Sequence, residues 1–127
     1  VECLNEYGID AIFLLSPTTP KSRIEHVAKL AKGYVYYVSL KGVTGASHLD
    51  LENVNMMLKE LRQHIAIPIG VGFGIRDGAT ARAVANLADA VVIGSRIIEE
   101  IEHAKQDDLL VKVGLLLTSF RKAMDEH

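Results

Sequence analysis

Short apolar runs alternate with longer stretches in which apolar residues recur every three or four positions. The runs are Ala11-Ile12-Phe13-Leu14-Leu15, Tyr34-Val35-Tyr36-Tyr37-Val38, Ile67-Pro68-Ile69-Gly70-Val71 and Ala90-Val91-Val92-Ile93. A parallel strand covered on both faces reads as such a near-continuous run. Helical spacing follows each one. It predicts helices from Lys21 to Ala31 through Ile24, Val27, Ala28 and Ala31, from Leu51 to His64 through Val54, Leu58 and Leu61, and from Asp77 to Leu87. A short helix opens at Gly94-Ser95 and runs to about Glu102. A final one starts at Asp107-Asp108, with Leu110, Val113, Leu117, Phe120 and Met124 on one face. Val1 to Tyr7 reads as the last turns of a helix stopped by Gly8, the common C-terminal glycine stop.

Four strand–helix repeats imply right-handed βαβ units and a parallel sheet, hence an α/β fold. Each unit takes about thirty residues. Eight such units make the roughly 250 residues of a TIM barrel, so four make half of one. A small doubly wound sheet also needs only four or five strands. Two features favour the barrel: glycine turns after two consecutive strands, and a short extra helix after the last. In TIM barrels the phosphate site commonly lies in the loops after strands 7 and 8, beside such a helix. Numbering these strands 5 to 8 puts both features in place. Residues 1–127 then form a single C-terminal half-barrel, and an opening in mid-helix reads as the latter part of a longer chain.

Composition narrows the partners. The 127 residues are 49% hydrophobic and 24% charged, as in a globular domain, and the net charge of -2 offers no case for nucleic acid or an anionic membrane. No apolar run approaches the roughly 20 residues of a membrane span. Cys3 stands alone, so no disulfide framework or metal spacing is present, and a cytoplasmic setting is the simplest expectation. The five histidines lack metal spacing and read as surface residues. Glu99, Glu100 and Glu102 read as a solvated helix face, and Cys3 as a packing residue.

The candidate chemistry sits at the glycine turns, Gly72-Phe73-Gly74 and Gly94-Ser95. Glycine lets backbone approach a ligand, and the N–H groups opening the next helix attract anions. The plain alternative is tight strand–helix packing with no ligand. Alternation places Tyr34 and Tyr36 on one face of their strand and Tyr37 on the other, so only one of those faces can meet a ligand. Lys41 invites a Schiff-base reading, but it lies in a polar loop where lysine is ordinarily solvated.

Ser39-Leu40-Lys41-Gly42-Val43-Thr44-Gly45-Ala46, then Gly72-Phe73-Gly74-Ile75, then Gly94-Ser95, in this order and spacing, closely resemble the tryptophan synthase alpha subunit family. The resemblance spans essentially the whole chain but only the C-terminal half of that family's barrel. It implies a lyase that cleaves indole-3-glycerol phosphate to indole and glyceraldehyde 3-phosphate by a retro-aldol reaction. It also implies a beta-subunit partner in an alpha2beta2 complex; that partner alone uses pyridoxal phosphate. By the same resemblance Gly45, Phe73, Gly74, Gly94 and Ser95 hold the substrate phosphate, and Leu14, Tyr36, Gly72 and Val92 line the indole pocket. Thr44 belongs to a loop that closes over substrate and orients a catalytic carboxylate. Arg96 departs from the small residue of the family pattern; a charge contact and an outward orientation both remain open.

Such a cleavage needs a proton delivered to indole C3 and another removed from a hydroxyl, and carboxylates usually serve. The residues just past the strands are Ser16, Pro17, Ser39, Lys41, Gly72, Phe73, Gly94 and Ser95, with no Asp or Glu among them. Asp50 and Asp77 fall at predicted helix starts, where acids cap the backbone. The resemblance places both catalytic acids in the N-terminal half, so no catalytic residue is assigned here and the chain alone is expected to be inactive. Competing readings are another phosphate-binding barrel, such as an indole-glycerol-phosphate synthase or a sugar-phosphate isomerase, and a non-catalytic flavodoxin-like phosphate or flavin module. A half-barrel also exposes two sheet edges and its inner layers, which predicts aggregation, dimerisation or an accompanying second half.

Overall fold

The computed structural model describes residues 2–38, 51–72 and 74–126. In chain order the elements are α1 (Glu2–Glu6), β1 (Phe13–Leu15), α2 (Lys21–Leu30), β2 (Val35–Val38), α3 (Leu51–Leu61), β3 (Ile69–Gly72), α4 (Gly78–Ala85), β4 (Ala90–Val92), α5 (Ser95–His103) and α6 (Leu109–Asp125). The strands form one parallel sheet in the order β1-β2-β3-β4. A doubly wound sheet reverses its strand order and carries helices on both faces. Here the order never reverses. The core is a single cluster on one face, joining Leu15, Val35, Tyr37, Ile69 and Val71 of the sheet to Ile24, Val27, Val54, Leu58, Leu61, Ala81, Val84 and Phe120. The opposite face leaves Leu14 57% exposed and Ala90 exposed. This is the winding of a barrel segment, which removes the flavodoxin-like alternative.

The local signals that placed the elements have identifiable partners. Gly8 sits at φ 68°, and the bonds from its N–H to the Asn5 carbonyl and from the Ile9 N–H to the Leu4 carbonyl close α1 in a Schellman motif. Asp77 caps α4, its Oδ1 accepting from the Thr80 N–H at 2.7 Å. That bond holds its carboxyl below the usual range. Gly78, directly after the cap, faces Ala123 of α6; a Cβ there would lie 2.8 Å from the alanine Cβ, so the glycine sets how closely α4 and α6 pack.

Two expectations are corrected. In α6 the residues packed against the core are Leu116, Phe120 and Met124, whereas Leu110 (86% exposed) and Leu117 are exposed and Val113 is half-buried. The helix carries apolar residues around most of its circumference, so periodicity alone does not select a face; packing against α4 does. Cys3 is exposed instead of packed, because α1 buries none of its residues.

At the N-terminal ends of the strands Asp89 acts as a clamp. Its Oδ2 accepts from the Ile69 N–H at 2.9 Å and from Arg62 Nη2 at 2.8 Å, and its own N–H donates to the Ile69 carbonyl. The backbone hydrogen bond from Ile69, followed by the Arg62 guanidinium, holds the Asp89 carboxyl below its ordinary value.

Candidate functional site

The sheet's uncovered face is built by alternation. Register places Leu14, Tyr36, Gly70 and Ala90 in one row and Val38, Gly72 and Val92 in the next, nearer the C-terminal ends of the strands. Leu14, Tyr36, Gly72 and Val92 therefore share this face. Strand side chains lean along the strand direction. Tyr36 accordingly extends beyond its register partner Gly70 and lies over Gly72: a Cβ on Gly72 would fall 1.9 Å from the tyrosine oxygen and 2.5 Å from ring carbons. Tyr34 covers Gly70 in the same manner, 3.4 Å from where its Cβ would be. Gly72 is thus required by a tyrosine ring, a reason that the glycine-turn pattern alone does not reveal.

Both glycine turns leave adjacent strand ends, β3 and β4 pairing through Gly72 and Val92. Gly74 and Gly94 each face open space where a side chain would stand, and Ser95 is exposed at the first position of α5. Gly94 is the N-cap of α5, which no side chain caps, while its carbonyl accepts from the Ile97 and Ile98 N–H groups. Phe73, Thr44 and Gly45 lie outside the described residues, as do Lys41 and Asp50.

Arg96 lies in the first turn of α5. Its Nη2 donates to Glu100 Oε2 at 2.8 Å, with both side chains about three-quarters buried, so the charge is engaged along α5. Glu99 is likewise occupied: Arg76 of the β3–α4 loop reaches its two oxygens at 2.7 and 3.0 Å. The expectation of a solvated glutamate face fails for Glu99 and Glu100, because their arginine partners are set by tertiary placement and by one turn of helix. Glu102 is exposed as expected.

At the ends of β1 and β2 an open hollow of about 440 Å³ is lined by Leu14, Ser16, Thr18, Thr19, Arg23 and Val38. The Ser16 N–H donates to Thr19 Oγ1, and the Ser16 hydroxyl lies 3.0 Å from that of Thr18. The hydroxyl-rich composition of Ser16, Thr18 and Thr19 is the sequence signal for this hollow. A larger hollow of about 670 Å³ is lined by α6 with the adjoining Glu126 and touches neither glycine turn. Among the described residues no cluster of three or more His, Cys, Asp or Glu could hold a metal, and no helix is long and apolar enough to cross a membrane.

Comparison with known proteins agrees with this geometry. The family model for the tryptophan synthase alpha chain matches residues 1–124. The chain is 68% identical over 125 residues to the tryptophan synthase alpha chain of Nitrosomonas europaea, covering 98% of this chain and 46% of that protein. It is 54% identical to that of Chromobacterium violaceum, covering 95% and 46%. The crystal structure of the alpha subunit from Legionella pneumophila str. Paris superposes with a TM-score of 0.86 at 34% identity, over 99% of this chain and 46% of that one. The chain spans about half the length of these relatives, and its fold is about half of a TIM barrel. It belongs to the tryptophan synthase alpha chain family.

Proposed function

We propose that residues 1–127 act as one half-barrel unit, the substrate-holding half of a cytoplasmic carbon–carbon lyase of the tryptophan synthase alpha type. The reaction is retro-aldol cleavage of indole-3-glycerol phosphate to indole and glyceraldehyde 3-phosphate, in tryptophan biosynthesis. The observation that carries this reading is the shared uncovered face of Leu14, Tyr36, Gly72 and Val92, at strands whose ends lead to the uncrowded glycines Gly74 and Gly94. An aromatic and aliphatic floor suits an indole ring, and the N–H groups at the start of α5, with the backbone around Gly74, suit a phosphate.

In this reading Gly45, Phe73, Gly74, Gly94 and Ser95 hold the phosphate, and Thr44 belongs to the loop that shuts out water and orients a carboxylate. Fixing the phosphate and the ring at two ends leaves the scissile bond in one position, which is how remote binding energy serves the reacting centre. The proton for C3 and the base for the hydroxyl come from acids outside this chain. Indole passes to a beta-subunit partner, where pyridoxal phosphate resides.

The test joins this chain to the part of the Nitrosomonas europaea protein that its match leaves uncovered. The hybrid is expected to release indole from indole-3-glycerol phosphate and to bind indolepropanol phosphate more tightly than inorganic phosphate; this chain alone is expected to release none. A folded hybrid with equal affinity for the two phosphates overturns the reading, and indole release by this chain alone overturns the assignment of the acids.

A further inference from the structure

The two glycine turns belong to different βα units, and a phosphate held between them requires that their spacing be fixed. The β3–α4 loop is anchored at two points: Ile75 is buried, and Asp77 caps α4. Between them stands Arg76, whose Nη2 donates to both oxygens of Glu99 on α5, four residues after Ser95. The neighbouring Arg96–Glu100 pair lies within α5 and ties it to nothing else. Arg76–Glu99 is the one ion pair among those described that joins the β3–α4 loop to α5.

We propose that the Arg76–Glu99 pair is a strap that holds the two glycine turns at the separation the anion site needs, making both residues positioning residues for phosphate. The inference rests on the phosphate reading above. Both side chains are partly solvated, at 70% and 39% exposure. Exposed pairs contribute modestly, so the effect is a several-fold change in affinity and not an abolition.

Charge makes the test discriminating. Removing Arg76 takes a positive charge from the neighbourhood of the anion, and removing Glu99 takes a negative one, so simple electrostatics moves phosphate affinity in opposite directions. A strap makes both substitutions weaken binding. Inorganic phosphate is titrated calorimetrically into the hybrid described above and into its Arg76→Ala, Glu99→Ala and charge-swapped Arg76→Glu/Glu99→Arg forms. The expected result is about two- to fivefold weaker binding in each single variant, recovery to within about twofold in the swap, and unchanged thermal midpoints. Tighter or unchanged binding in Glu99→Ala with weaker binding in Arg76→Ala overturns the strap and makes Arg76 a direct ligand. Equal binding in all four also overturns it.

Absence of phosphate binding by the unaltered, folded hybrid is a failure of the phosphate reading. The strap is then judged by hydrogen exchange of the amides from Gly94 to Ile97 without ligand. Exchange is expected to quicken in both single variants and to slow again in the swap; unchanged exchange overturns the proposal.

Discussion

Residues one position apart on the same strand meet opposite surroundings: Leu15 is 1% exposed and Leu14 57%. Leu15, Tyr37 and Val71 point to the helices and are sealed by Val54, Leu58, Leu61 and Val84, with no charged residue buried among them. Leu14, Tyr36, Gly72 and Val92 point the other way, to a surface shaped by tyrosine rings lying over glycines. The covered face has been filled for volume. The uncovered face keeps a particular shape at the expense of burial. Strand alternation lets one short run of sequence serve both ends at once.

The sharpest way to break this contrast is to truncate one leucine on each side. Leu58→Ala opens a cavity in the covered face and is expected to cost about 2–5 kcal/mol. Leu14→Ala removes similar atoms from a side chain that water already reaches, and about 0.5 kcal/mol or less is expected. Urea unfolding of the two variants measures the gap. A Leu14 cost that grows with protein concentration would mean that the inner face is covered by another chain, as the open sheet edges predict.

Much of this arrangement was legible in the residues themselves. The apolar runs located the strands, Asp77 and Gly8 announced helix ends, and alternation separated Tyr36 from Tyr37, which burial confirms. The motifs carrying the family likeness lie where backbone meets ligand, so they survive as recognisable words. What stayed hidden was tertiary. Which face of α6 packs depends on the close approach of Gly78 to Ala123. That Glu99 faces an arginine 23 positions earlier is set by the placement of the β3–α4 loop beside α5. The reason for Gly72 depends on the lean of a ring on the next strand.

Gly72 gives the second way to sharpen the contrast. On an open surface a glycine-to-alanine change within a strand is mild or even favourable. Here the added methyl would sit within 1.9 Å of the Tyr36 oxygen, so the ring must move. Gly72→Ala is expected to cost about 1–3 kcal/mol, as overpacking does, and to weaken indolepropanol phosphate binding in the hybrid. In a Tyr36→Val background the same alanine is expected to cost little. The double-mutant cycle reads the coupling directly; additive effects would show that the ring is not what the glycine accommodates.

A milder contrast than that at Gly72 lies at the other end of the strands, where Asp89 ties β3 to β4 without touching the site. Asp89→Asn keeps an oxygen for the Ile69 N–H but loses the charge that faces Arg62, and about 0.5–1.5 kcal/mol is expected at neutral pH. Its pH dependence is more telling than its size. A carboxylate whose folded value lies below the ordinary aspartate value near 3.8 contributes stability that is fully present above that value and is lost as pH falls through the lowered one. The unaltered chain therefore loses this contribution only in acid, and Asp89→Asn, which lacks it throughout, is expected to approach the unaltered chain in stability as pH falls below that value. Asp77, also held low by its cap, leaves a residual acid dependence in the variant. Thermal midpoints measured from pH 7 down to the acid range test this convergence. A gap that stays constant with pH would mean that the clamp works through its hydrogen-bond geometry alone, with no contribution from its charge.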